Sequence, residues 1–196
     1  MSRHLAFDAI VIGASAGGVE ALGTLLPALP GHLQAMVLVV LHQPRDRPSL
    51  LVEVFAARCA LTVHEAEDKQ MLSPGAIYFA PPDYHLLVDS GPRIALSVDP
   101  PLHFSRPSID VLFESAAELW GRRLLAILLT GANADGAAGI ACVARHGGTT
   151  IVQSPADARH AVMPAAALAA HPGVDHVLDL PQIAALLSGL DAPATD

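Results

Sequence analysis

Three residue types that together carry out acyl transfer fall at comparable places along this chain: Ser15, His42 and Asp135. A serine hydroxyl is a poor nucleophile until a base takes its proton. A histidine titrates near neutrality and can both accept and return that proton. A buried aspartate fixes the imidazole tautomer and stabilises its cation. Ser15 lies between Gly13 and Gly17 in the pattern G-x-S-x-G. Small neighbours there permit a sharp turn that lifts the hydroxyl clear of a sheet, near the N–H groups of a helix start. Two milder readings fit the same string: a serine capping the following helix, or a glycine loop cradling a phosphate. His42 alone can equally close a strand, and Asp135-Gly136 is an ordinary turn signal. The conjunction of the three points to a serine hydrolase.

The elements that would position them follow from the apolar pattern. Ala9–Ile12, Ala35–Leu41 and Leu124–Leu129 are continuous apolar runs that read as strands buried on both faces. Thr149–Gln153 and Val174–Leu178 read as further strands. Helices are predicted over Val19–Leu29, from Asp46-Arg47-Pro48-Ser49 to Ala57, and from Arg106-Pro107-Ser108 to Trp120. Others run from Ala137 to His146, Pro164 to Ala170 and Pro181 to Leu190. Strands alternating with helices predict an α/β fold: a doubly wound, largely parallel sheet with helices on both faces. Between Leu61 and Val98 the runs shorten to Leu61–His64, Ala76–Ala80, His85–Val88 and Arg93–Val98, divided by Pro/Gly turns. That texture predicts an antiparallel hairpin insert rather than crossovers. In a doubly wound sheet the C-terminal strand ends share one edge. Ser15, His42 and Asp135 follow the first, second and third long strands, so all three are expected on that edge.

Bulk composition narrows the alternatives. The chain of 196 residues is expected to form one domain, 1–196, with its core over about 7–190. Hydrophobic residues make up 52% and charged ones 15%, with a net charge of −8 and no Lys/Arg block. This argues against nucleic-acid binding. No apolar run reaches membrane-spanning length and no signal-peptide pattern opens the chain, so a cytoplasmic protein without membrane insertion is expected. Cys59 and Cys142 read as core residues of helical segments in a reducing compartment. The 10 histidines are scattered without metal-ligand spacing, so neither a metal nor another cofactor is expected. His160 reads as a surface residue, and Asp110 with Glu114 as a solvated pair on one helix face. A dinucleotide site is the rival from another class, although the spacing is G-x-x-x-G-G rather than G-x-G-x-x-G.

The order Ser, His, Asp differs from that of ordinary α/β-hydrolases, and no HGGG-type loop precedes Ser15. The chain instead resembles the catalytic domain of the CheB-type chemotaxis protein-glutamate methylesterases. The likeness is carried by Ile12-Gly-Ala-Ser-Ala-Gly-Gly18, His42 with Pro44, and Arg106-Pro-Ser-Ile-Asp-Val-Leu-Phe113. Leu129-Thr-Gly-Ala-Asn-Ala-Asp-Gly136 and Met163-Pro164 continue it in the family's order, from about Phe7 to Leu190. The resemblance implies hydrolysis of glutamyl γ-methyl esters on the cytoplasmic helices of methylated chemoreceptors, and opens deamidation of receptor glutamines as a second activity. It implies Ser15 as nucleophile, His42 as base and Asp135 as the orienting acid, with Ala16 and Ala132 donating backbone N–H groups to the oxyanion. Gln43, Arg106, Asn133 and Met163 become candidates for the substrate rim.

The departures are Ala16 where Thr is common, Ala132-Asn133 where Met-Gly is common, and Gln43 in place of Met. None removes a group the chemistry needs, yet the altered loop keeps an inactive binding relative in play. Well-known members carry an N-terminal receiver. Only a few residues precede the first strand here, which suggests constitutive activity or control by a separate receiver or methyltransferase protein. Arg45, Arg47 and Arg106 are candidates for offsetting the chain's negative charge beside an acidic receptor.

Overall fold

The computed structural model describes residues 7–44 and 48–190. Seven strands form one parallel sheet: β1 (Ala9–Ala14), β2 (Met36–Leu41), β3 (Thr62–Glu65), β4 (Ala76–Phe79), β7 (Leu124–Leu128), β8 (Thr149–Gln153) and β9 (His176–Leu178). Their spatial order is β3-β4-β2-β1-β7-β8-β9. Strands β5 (His85–Asp89) and β6 (Arg93–Ser97) pair antiparallel as a separate hairpin. The helices are α1 (Gly18–Leu25), α2 (Leu51–Ala56), α3 (Ile109–Trp120), α4 (Ala137–Arg145), α5 (Val162–Ala170) and α6 (Leu180–Ser188).

Alternation along the central strands divides the interior in two. Ala9, Val11, Leu38, Val40, Ala126 and Leu128 point to one face, where Ile109, Phe113, Ile140 and Met163 of α3, α4 and α5 cover them. Ile10, Ile12, Val37, Val39 and Ile127 point to the other, under Leu22, Leu25, Phe55 and Ile183 of α1, α2 and α6. Both faces are apolar because both are covered, which is why β1, β2 and β7 are buried at every residue. Gly13 is required by close approach: a Cβ there would lie 2.4 Å from Ile109 Cγ2. The chain runs from β1 outward to β2 on one side and returns to β7 on the other, so β1/β7 is the topological switch point.

Three expectations need correction. The runs at Leu61–His64 and Ala76–Ala80 are not a hairpin. They are β3 and β4, paired parallel at one end of the main sheet. All four β4 residues are buried between β2 and β3, and the segment between β3 and β4 is long enough to return the chain. Only β5–β6 meets the hairpin expectation, and it packs on α3, where Ser115 Oγ accepts the Val88 N–H at 3.1 Å. The second helix begins at Leu51, after Ser49 Oγ accepts the Leu51 N–H, so Pro48–Leu50 precede it. Residues 45–47 lie outside the described residues. Cys59 follows α2 rather than lying within it, whereas Cys142 is buried in α4; both are free thiols. Burial raises the pKa of each, which disfavours the reactive thiolate.

Candidate active site

The ends of β1, β2 and β7 are stitched together by backbone hydrogen bonds, and these set the site. His42 N–H donates to Ala14 O at 3.1 Å, continuing the β1–β2 ladder by one residue and placing the imidazole beside the serine turn. Ser15 N–H donates to Thr130 O at 3.0 Å, fastening the same turn to the end of β7. The turn itself is tight. Gly18 N–H donates to Ser15 O at 2.7 Å, with Gly17 at φ 80°, a left-handed conformation that glycine adopts without strain.

Side chains then converge. His42 Nδ1 lies 3.1 Å from Ser15 Oγ, and Nε2 lies 2.8 Å from Asp135 Oδ2. An ionised carboxylate only accepts, so Nε2 carries the ring hydrogen and Nδ1 offers its lone pair to the serine O–H. Asp135 is fully buried, while the His42 side chain is 12% exposed. Ser15, His42, Gln43, Pro44 and Arg159 line an open cleft along this edge.

What holds Asp135 is less obvious from sequence. Its carboxylate sits on the N-terminus of α3, where the first N–H groups of a helix have no partners of their own. Ser108 Oγ–H donates to Oδ1 at 2.8 Å, Asp110 N–H to Oδ1 at 3.0 Å and Ile109 N–H to Oδ2 at 2.7 Å. Burial opposes the charge. The His42 hydrogen bond, the Asp110 and Ile109 N–H groups and the His42 charge outweigh it, holding Asp135 below the ordinary carboxylate range. Arg106-Pro-Ser-Ile-Asp thus does more than open a helix: it builds the seat of the acid. Ser108 Oγ–H and these two N–H groups hold the Asp135 carboxylate, and residue-type reasoning did not single them out. Thr130, buried at the end of β7, is another. Its Oγ1–H donates to Ala16 O at 2.9 Å and its oxygen accepts the His160 N–H, also at 2.9 Å, bracing the serine turn.

The rim candidates divide. Neither Ala16 nor Ala132 N–H has an acceptor among the described residues, so both are free to donate. Gln43 lines the cleft, and its buried Nε2 has no hydrogen-bond partner there. Asn133 links two loops: its Nδ2 donates to Ser105 Oγ at 3.3 Å while its Oδ1 accepts the Asp135 N–H at 3.2 Å. The Arg106 guanidinium is engaged within the protein. Its Nε and Nη2 donate to Asp83 Oδ1 at 3.1 and 2.8 Å, and its Nη1 donates to the carbonyls of Val98 and Asp99. Met163 is fully buried against Gly131, where a Cβ would meet its side chain at 2.5 Å; it supports the loop from below. Arg45 and Arg47 lie outside the described residues. His160 is exposed, as its loop position suggested, and only its backbone reaches the site.

Ser105 is an unforeseen neighbour of the base, with Oγ 3.3 Å from His42 Nδ1. It closes a tight turn, Leu102-His103-Phe104-Ser105, through Leu102 N–H to Ser105 O at 3.1 Å and Ser105 N–H to Leu102 O at 2.7 Å. His103 and Phe104 have φ of 48° and 62°, the left-handed signature of a type I′ turn. Such backbone costs a non-glycine residue roughly 1–2 kcal/mol.

Asp110 also departs from the solvated pair expected of it. Glu114 is exposed but Asp110 is buried, accepting the Gly139 N–H at 2.7 Å and facing His103 Nε2 at 3.4 Å. Burial first, then the charges of Asp135 and Glu114, push its pKa to about 6 against the pull of Gly139 N–H and His103. The unfolded chain releases this proton near 3.8 and the native one near 6, so this group's contribution to stability is fully present below 3.8 and is lost as pH rises through about 6. Asp110→Asn keeps an acceptor for Gly139 and removes that decline. Thermal melts from about pH 4 to about pH 7 are expected to show the variant gaining on the parent protein as pH rises.

The family model for CheB methylesterase matches residues 10–187. The chain belongs to the CheB methylesterase family. A Leptospira interrogans relative, provisionally named protein-glutamate methylesterase/protein-glutamine glutaminase, is 41% identical over 185 residues, covering 94% of this chain and 95% of its own length. Longer relatives carry the same two-part name. That of Symbiobacterium thermophilum is 42% identical over 144 residues, 74% of this chain and 40% of the relative. That of Pectobacterium atrosepticum is 40% identical over 177 residues, 89% of this chain and 50% of the relative. The crystal structure of the Thermotoga maritima CheB methylesterase catalytic domain superposes with a TM-score of 0.88 at 31% identity, covering 95% of this chain and all of that one. The CheB family fold is therefore the α/β sheet described above. Among the described residues no helix is long and apolar enough to cross a membrane.

Proposed function

We propose that this member of the CheB family is a cytoplasmic protein-glutamate methylesterase that uses Ser15, His42 and Asp135 on methylated chemoreceptor helices. The observation that carries the reading is the unbroken line of hydrogen bonds from Ser15 Oγ through His42 to Asp135 Oδ2. In the proposed reaction His42 Nδ1 takes the Ser15 proton as Oγ attacks the γ-carbonyl carbon of the ester. The carbonyl oxygen gains the electron pair, and the N–H groups of Ala16 and Ala132 hold it. As the tetrahedral centre collapses, its C–O bond to the methoxy group breaks and His42 protonates the departing oxygen, giving methanol and a glutamyl–Ser15 ester. Water, deprotonated by His42, then attacks that ester and regenerates Ser15 with a free glutamate. Asp135 stays ionised throughout and steadies the imidazolium.

The same steps with an amide expel ammonia, so protein-glutamine deamidation is proposed as a second activity, in keeping with the relatives' two-part name. Incubation with a γ-methyl-esterified receptor cytoplasmic fragment is expected to release methanol, and the fragment with unmodified glutamines to release ammonia more slowly. No methanol above the uncatalysed rate would overturn the reading. Repeating the assay with candidate receiver or methyltransferase proteins tests external control.

A further inference from the structure

We infer that Phe104 is the substrate-docking residue of this site: an apolar knob on which the helix bearing the methyl ester seats so that its side chain reaches Ser15. The inference rests on the esterase reading and names how that reaction selects a protein substrate. Phe104 is 99% exposed, whereas Phe55, Phe79 and Phe113 are each exposed by 1% or less. Exposure alone says little, because single apolar residues are common on surfaces. The setting says more.

The turn that presents Phe104 is held in left-handed backbone at two consecutive non-glycine residues, and such conformations persist only where surrounding contacts enforce them. Here three tethers do so, and all lead to the catalytic edge. His103 Nε2 meets Asp110 Oδ2 on α3 at 3.4 Å. Asn133 Nδ2, from the Asp135 loop, reaches His103 O at 3.5 Å and Ser105 Oγ at 3.3 Å. Ser105 Oγ lies 3.3 Å from the base nitrogen of His42. The backbone that carries the ring is thus held one residue away from a direct contact with His42. Leu102, in the same turn, and Val98 are also apolar and exposed, at 44% and 66%.

The alternatives for gripping a protein are weak at this rim. Among the described residues the nearby cations are engaged: Arg106 by Asp83, and Arg159 by Glu20. The cleft opens at the ends of parallel strands whose backbone groups pair within the sheet, so a peptide cannot add there as a strand. A helix can. It projects the esterified glutamate into the cleft and presents an apolar residue three or four positions away, on the same face, to the Phe104 ring.

The variant to test is Phe104→Asn, since asparagine removes the ring yet accepts left-handed backbone. Two measurements separate docking from chemistry. The first is affinity for a methyl-esterified receptor cytoplasmic fragment, by calorimetry in a Ser15→Ala background where no turnover occurs. Phe104→Asn is expected to weaken it about tenfold or more, and Phe104→Tyr to restore it. The second is steady-state hydrolysis in proteins with Ser15 intact. KM for the fragment should rise with little change in kcat, and kcat/KM should fall at least about tenfold more on the fragment than on p-nitrophenyl acetate. Unchanged affinity, or equal losses on fragment and small ester, overturns the inference while leaving the esterase reading standing. Ring-dependent binding without any hydrolysis by the parent protein does the reverse.

Discussion

Ser15→Ala is expected to lower methanol release by about four to six orders of magnitude while leaving the fold intact, which separates chemistry from structure. The size follows from what disappears. Without Oγ there is no atom to form the acyl intermediate, and the residual rate comes from the oxyanion N–H groups and bound water alone. The fold is spared because the serine side chain contributes only one hydrogen bond, to His42. Its backbone does the structural work: Ser15 N–H to Thr130 O and Gly18 N–H to Ser15 O are both retained in alanine. A melting temperature within a few degrees of the parent, with binding of the esterified fragment preserved, is therefore expected alongside the lost turnover. Normal turnover would remove Ser15 from the reaction. Labelling by an organophosphonate gives a second readout, since the parent should be stoichiometrically modified at Ser15 and the variant should not.

The convergence of Ser15, His42 and Asp135 on one edge was legible in the sequence because their strands were. β1, β2 and β7 lie at the centre of a sheet covered on both faces, so each is a continuous apolar run that ends abruptly where the chain leaves the core. A polar or glycine-rich residue just beyond such a run can only be at the strand's C-terminal edge. The same logic failed at β3 and β4. These short strands at the end of the sheet, between Pro/Gly turns, have the local texture of a hairpin, and only the long-range pairing of β4 with β2 decides otherwise. Individual partners were least legible. Arg106 looked like a free cation at a helix start, but Asp83 claims it from a distant loop. Met163 looked like a rim residue, yet the absence of a Cβ at Gly131 draws it underneath. Asp110 gave no sign of burial because its helix periodicity equally suits an exposed pair. The Asn133 departure acquires a reason only in three dimensions, where its amide spans the Asp135 backbone and Ser105.

Asp135→Asn is the second large effect, an expected loss of about three to four orders of magnitude in kcat. Four donors converge on the two carboxylate oxygens: His42 Nε2–H and Ile109 N–H on Oδ2, Ser108 Oγ–H and Asp110 N–H on Oδ1. An amide has one oxygen to serve them. If that oxygen stays with Ser108 and Asp110, the new NH2 points at His42 and Ile109. His42 must then carry its hydrogen on Nδ1 so that Nε2 can accept, and an Nδ1–H cannot take the proton of Ser15. If the amide flips, His42 keeps its tautomer, but the NH2 opposes two donors at the α3 N-terminus and the anchor of the loop is lost. Either way the base is misoriented or its cation unsupported. The flipped state also costs stability, so urea denaturation should accompany the kinetics, with a destabilisation of about 1–3 kcal/mol expected for the buried unpaired donors. The decisive comparison is the double variant. Ser15→Ala with Asp135→Asn should be hardly slower than Ser15→Ala alone, because the carboxylate acts only through the imidazole, and the imidazole only through the serine. Losses that multiply instead would mean that Asp135 assists the reaction by a route that bypasses Ser15.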